Sequence, residues 1–365
     1  MAQISDNDAI YSVLDQLNND GQYEKVLETI EGIPGEAISN KLWFAKIRAL
    51  IDLKCFKEAR TEISLLSKRC SEPSEDAMLY YLLGNTFECT GCTLKAVECY
   101  RHTQEYDPGF DNIQSLIDAC LEAVNGELDN AAANIKNLIA DAAKFFAETK
   151  EKRELIYPES SDYISMIESS FLPTGMGFEL PLDKPFYECE DEVVKEKIRI
   201  FLDKKYGVSD LKSLQQWYGN GRIAPTVDGV RHALENNIPM PVEKMSISEI
   251  TYFESVQLVL KYMMDLLPGA GIAAWDYNEV IALARLAYAA GIITRTEFCE
   301  TTLFFTDECV RNYSSWEDVM RSVIVGGFIN CMMMTQYDVK NAAMFGTVAC
   351  GMCKENYSKV KWIEN

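Results

Sequence analysis

Only two histidines, His102 and His232, occur in the 365 residues. A Ser-His-Asp, Cys-His or two-histidine metal mechanism therefore has almost no side chains to draw on, and neither a nucleophile elbow nor a phosphate-cradling glycine loop is present. Positive charge is scarce as well: 35 Lys and Arg stand against 56 Asp and Glu, a formal charge of -21. The deficit runs through the whole chain, 16 basic against 26 acidic residues up to position 153 and 19 against 30 beyond it. With no basic block, nucleic acid is not an expected partner. Long apolar runs are also missing. The longest uncharged stretch, Ser322 to Tyr337, has 16 residues and contains Asn330 and Gln336, which is short of a membrane span and reads as a buried helix. The first eight residues lack the basic and apolar regions of a signal peptide. No strand alternation of convincing length appears, so the chain reads as all-α.

Hydrophobic residues make up 48% of the sequence, enough for sizeable cores, and the length suits two or three domains. Twelve cysteines without an export signal point to reduced thiols in a cytoplasm. Two CxxC pairs stand out, Cys89 with Cys92 and Cys350 with Cys353. The first straddles a turn, neither follows a strand, and no histidine cluster supports them, so neither a metal nor a cofactor is expected. Met332-Met333-Met334 reads as plastic core packing.

A degenerate repeat of about 34 residues organises the N-terminal part. Val26, Ala59, Ala96 and Ala131 occupy equivalent places at spacings of 33, 37 and 35. The third unit carries Tyr80, Leu83, Gly84 and Phe87 on a first helix, Ala96 and Tyr100 on a second, and Pro108 at its close. This resembles the tetratricopeptide repeat, in which small residues let antiparallel helices pack closely. The expected architecture is an α-solenoid of about four helical hairpins over residues 1–153, a Pro- and Gly-rich linker over 154–190, and a C-terminal helical domain over 191–365. The fourth unit, with Ser115 and Glu122 where apolar residues are expected, reads as a capping repeat.

In the C-terminal part, four pairs read as helix starts of the capping-box type: Ser246 with Glu249, Asp276 with Glu279, Thr294 with Glu297, and Ser315 with Asp318. Val280, Leu283, Ala284 and Ala287 share one helical face, and Gly291 is placed to stop that helix. Gly219-Asn220-Gly221-Arg222 reads as a turn. Trp275-Asp276, Ala284-Arg285, Tyr288, Gly291, Glu297, Ser314-Ser315-Trp316-Glu317 and Gly326 together resemble an uncharacterised bacterial family, the domain of unknown function 1266. Weaker similarity extends from about Phe201, through Tyr206-Gly207-Val208, to Trp362. The family tends to carry Arg where Glu279 stands, and the resemblance brings no activity with it.

Three functions fit these features. The first is an interaction or adaptor protein whose repeat groove binds a peptide or helix of a protein partner. First helices line the concave face of such arrays, which places Tyr11, Lys41, Phe44, Arg48, Tyr81 and Asn85 in the groove and outside the apolar packing set of their helices. Aromatics and arginine are common interface anchors, and Lys41 with Arg48 suggests a positive strip favouring an acidic or C-terminal segment. The carboxylate clamp of chaperone-tail binders is not expected, because Tyr11, Asp15, Ala45, Met78 and Leu82 occupy its positions. The second is an enzyme using Asp276 as acid, Arg285 as anion clamp and Glu297 as base, although helix capping accounts for both acids and an ion pair for Arg285. The third is an immunity or antitoxin protein neutralising a basic toxin, suggested by the charge of -21 alone.

Overall fold

The computed structural model describes residues 2–35, 38–149, 178, 187–239, 242–357 and 362. The chain is all-α, with no strand among the described residues. Its contacts divide it into two compact units that do not follow chain order: Met1–Glu127 with Pro241–Ser255 and Thr335–Asp338, and Leu128–Met240 with Val256–Met334 and Val339–Asn365. The linker expected over 154–190 falls almost wholly outside the described residues.

The first unit opens with three helical hairpins: α1 (Ala2–Asn19) with α2 (Tyr23–Glu31), α3 (Asn40–Asp52) with α4 (Phe56–Leu66), and α5 (Pro73–Cys89) with α6 (Thr93–Tyr106). Their turns are copies of one another. Gly21, Lys54 and Gly91 adopt φ of 73°, 62° and 81°. The next amide, from Gln22, Cys55 or Cys92, bonds the carbonyl five residues back, of Leu17, Leu50 or Phe87, at 2.8, 2.8 and 2.9 Å. This is a Schellman closure, which satisfies the orphan carbonyls of the first helix while reversing the chain. Val26, Ala59 and Ala96, five residues beyond each left-handed residue, are wholly buried. Close approach within a hairpin is sharpest in the third, where a Cβ on Gly84 would lie 2.4 Å from the Tyr100 ring.

The fourth unit departs from expectation. Residues Ile113–Thr149 form one continuous helix, α7, in place of a hairpin. Gly126, which matches Gly21 and Gly91 in register, is absent from the positive-φ residues and stays helical. The reason lies in the apolar stripe: Ile113, Ile117, Cys120, Val124, Leu128, Ala131, Ile135, Ile139, Ala142 and Phe146 are all buried. Spacings of three and four run unbroken through the glycine, so one helix buries the whole stripe. Later segments return to the third hairpin. Ser248 donates to Glu98 at 2.8 Å and Arg101 pairs with Glu254 at 2.7 Å, which leaves Glu98 only 5% exposed.

The second unit contains α7 from Leu128 onward, α8 (Glu192–Tyr206), α9 (Leu211–Gly221), α10 (Ala224–Glu235), the later half of α11 (Ile247–Met263, its residues up to Ser255 in the first unit), α12 (Ala273–Ala289), α13 (Arg295–Asn312), α14 (Trp316–Met334) and α15 (Val339–Tyr357). Helix α12 is its axis, since every residue from Ala274 to Ala289 is buried. A helix buried at both ends needs partners for its orphan backbone groups. At its start the Ala274 amide donates to the Tyr313 and Ser322 hydroxyls at 2.8 and 3.1 Å. At its end Arg199 donates twice to the Ala290 carbonyl, at 3.1 and 2.8 Å, and Gly291 turns left-handed at φ 69°.

Three local expectations change. Asp276 does not cap its own helix, which begins three residues earlier with Ile272 at the cap. The Gly219–Gly221 stretch is the last turn of α9, where the Trp217 ring lies 2.8 Å from a Cβ built on Gly221. The methionine run is only partly core, Met332 being buried and Met334 57% exposed. Thr294 and Glu297 do form a full capping box at the start of α13, with Thr294 N–H to Glu297 Oε2 at 2.7 Å and Glu297 N–H to Thr294 Oγ1 at 3.3 Å. Thr294→Ala is therefore expected to cost about 1 kcal/mol in urea denaturation; an unchanged midpoint would assign the helix start to other contacts.

Candidate functional site

Helices α1, α3 and α5 flank an open cavity of about 880 Å3 in the first unit. All six groove candidates line it: Tyr11 from α1, Lys41, Phe44 and Arg48 from α3, and Tyr81 and Asn85 from α5. Helical phase explains the convergence, because positions 41, 44 and 48, like 81 and 85, share a face. The five positions of the chaperone-tail clamp, Tyr11, Asp15, Ala45, Met78 and Leu82, line the same cavity.

The side chains are more occupied than expected. Tyr11, Phe44 and Tyr81 pack against the buried clusters of the three hairpins. The Tyr81 ring lies 5.0 Å from that of Phe110 and 6.2 Å from that of Tyr100, and Asn85 Oδ1 accepts the Tyr100 hydroxyl at 2.7 Å. Stacked hairpins bury the flanks of their first helices against the next pair, so half-buried aromatics here serve the core and the groove together. Only Lys41 and Arg48 of the six are exposed.

The positive strip is also corrected. Arg48 pairs with Asp15 at 3.4 Å and donates to Asn19 Oδ1 at 3.0 Å. Asp15, Asp52, Glu72 and Glu75 all line the cavity beside the two cations. The lining is therefore acidic on balance, with Asp52 one helical turn beyond Arg48.

In the second unit Asp276, Arg285 and Glu297 do not form a catalytic trio. Nine residues along an α-helix is a half turn of phase, so Asp276 and Arg285 project from opposite sides of α12. Both are buried, at 3% and 1% exposure. Asp276 accepts the Ile223 and Ala224 amides at 3.1 and 3.0 Å, capping α10 from a distant helix. Glu297 is held in its capping box, whose hydrogen bonds lower its pKa. Burial pushes Asp276 up to about 6 against those two amide bonds. Burial, with the neighbouring Asp276 charge, pushes Glu279 up to about 7. Glu279, 7% exposed, stood out in the sequence as a departure from the family pattern, but nothing there marked it as a buried acid.

Two smaller cavities border this region. One of about 310 Å3 is lined by Tyr218, Arg222, Asp228, Asp276 and Tyr277 among others. The second, of about 390 Å3, is lined by Leu214, Glu297, Glu300, Phe304 and Phe305 among others. His102 stacks on Tyr80 at 4.6 Å, and His232 sits in the last turn of α10 beside Asn236. Cys350 and Cys353 are buried, with thiols pushed up to about 11 and about 12, so they are neutral rather than thiolate. Among the described residues no group of three or more His, Cys, Asp or Glu is placed to hold a metal, and no helix is long and apolar enough to cross a membrane.

Residues 201–345 match the family described as "Protein of unknown function (DUF1266)". No curated protein and no solved structure matches the chain. Several of the residues that carry the family pattern have structural roles in this unit. A Cβ on Gly326 would touch Trp275, Asp276 caps α10, and Gly291 ends α12. Tyr288 stacks on Phe298 at 5.3 Å and donates to Glu188 at 2.7 Å, and Trp316 stacks on Tyr357 at 4.6 Å.

Proposed function

We propose that this chain is a cytoplasmic interaction protein, whose tetratricopeptide-like hairpins bind a peptide or helical segment of a protein partner in the cavity between α1, α3 and α5. One observation carries the reading: three successive first helices each contribute a half-buried aromatic, and α3 contributes exposed charged groups, to a single open cavity of about 880 Å3. Rigid aromatic surface beside polar groups is the usual composition of a binding hot spot. The second unit is taken as a recognition or regulatory module, since Gly326, Gly291, Tyr288, Trp316, Asp276 and Glu297 of its family pattern are accounted for by packing and capping.

The test needs variants that spare the core, which rules out Tyr81, packed against Phe110. Arg48 and Ser74 are both exposed and line the cavity. Arg48→Trp with Ser74→Trp, which fill the cavity without adding acid, is expected to abolish affinity capture of the main partner from native lysate while circular dichroism stays unchanged. Undiminished capture by this double variant would put the binding surface outside the cavity.

A further inference from the structure

We infer that the segment bound in this cavity is cationic, presenting a lysine or arginine side chain next to an apolar one. The inference rests on the reading of the cavity as a peptide groove and adds the chemistry of its occupant. Four carboxylates line the cavity against two cations, and one of those cations, Arg48, is already held by Asp15 and Asn19. Glu75 is engaged as well, accepting from Asn40 at 2.7 Å and from the Ser71 amide at 3.2 Å. Asp52 and Glu72 are left as exposed carboxylates with no side-chain hydrogen bond or ion pair among the described residues.

Exposed carboxylates without partners select N–H donors, while Phe44, Met78 and Leu82 in the same lining offer apolar contact to a neighbouring side chain.

Labelled peptides of equal length, one of lysine and leucine and one of glutamate and leucine, would be titrated into the full chain by fluorescence anisotropy at physiological salt. The lysine peptide is expected to bind at least about tenfold more tightly. Asp52→Asn with Glu72→Gln should weaken it about tenfold, while Glu24→Gln with Glu58→Gln, the same charge change outside the cavity, should change it less than about twofold. Equal losses in the two pairs would reduce the effect to the overall charge of the chain and overturn the inference. Tighter binding of the glutamate peptide, blocked by Ser74→Trp, would also overturn it while leaving the groove reading intact. Binding of either peptide that Ser74→Trp does not alter would remove the groove reading and the inference with it.

Discussion

Replacing Gly326 by alanine is expected to destabilise the chain by about 2 kcal/mol, and replacing it by valine by more than about 3 kcal/mol. On propensity alone the alanine change should help, by about 1 kcal/mol, because glycine is a poor helix residue. Packing decides the sign. A Cβ at position 326 would lie 2.4 Å from the Trp275 Cβ and 3.3 Å from the Ile272 Cβ, atoms fixed to the backbone around the start of α12. Only a shift of one helix against the other relieves that contact, and α12 is buried from Ala274 to Ala289. At Gly327 the obstacles are the ends of two side chains, the half-buried Phe345 ring and, at 2.7 Å, the buried Trp275 ring. Because ring atoms rather than backbone-fixed Cβ atoms stand in the way, Gly327→Ala should cost less than Gly326→Ala. Urea denaturation of the two alanine variants checks the order, and a Gly326→Ala chain as stable as the parent would show that α14 does not need glycine there.

The second large effect is on the pH dependence of stability. Glu279 rises from 4.5 to about 7 in the folded chain, first through burial and then through Asp276, with Lys205 opposing. The folded chain thus keeps a proton that the unfolded chain releases. That contribution to stability is fully present below about pH 4.5 and is lost as pH rises through about 7, on the order of 3 kcal/mol in all. Asp276, raised from 3.8 to about 6 by burial, acts in the same direction. The capping acids Asp210, Glu249 and Glu297 are lowered by their hydrogen bonds and lose their contribution only as pH falls below the ordinary carboxylate range. Between about pH 5 and 8 the buried acids should prevail, so the melting temperature should fall as pH rises. Glu279→Gln should flatten that slope and melt above the parent at about pH 8. A melting temperature that rises over this interval, or a Gln variant with the parent's slope, would sink the idea.

Which features were legible in the sequence follows from the range of the interaction behind each. The three hairpins could be read because Val26, Ala59 and Ala96 answer to a local demand, a small or branched residue where two helices touch. Groove membership followed from helical phase, which places residues such as Lys41, Phe44 and Arg48 together. Thr294 with Glu297 was readable because both partners lie within one turn. Asp276 carries the same three-residue spacing to an acid, yet its donors Ile223 and Ala224 lie 53 and 52 residues earlier. Arg199, which closes the end of α12 from 91 residues away, left no local sign. The charge of the groove was misjudged for a related reason: Lys41 and Arg48 share one helix face, whereas Asp15, Asp52, Glu72 and Glu75 arrive from the other first helices and the helix ends.

Arrays of stacked hairpins usually grow or shrink by duplication, since each unit touches only its neighbours and any unit can be copied. The third hairpin of this chain has lost that interchangeability. Its Glu98 receives Ser248 from 150 positions further on, and its Arg101 is paired with Glu254. A copy inserted after α6 would have to displace the residues around Ser248, and a chain cut after α7 would open the site of a buried carboxylate to water. The third hairpin is thus tied to a segment encoded far downstream, and a change in the number of hairpins would reach beyond the array itself.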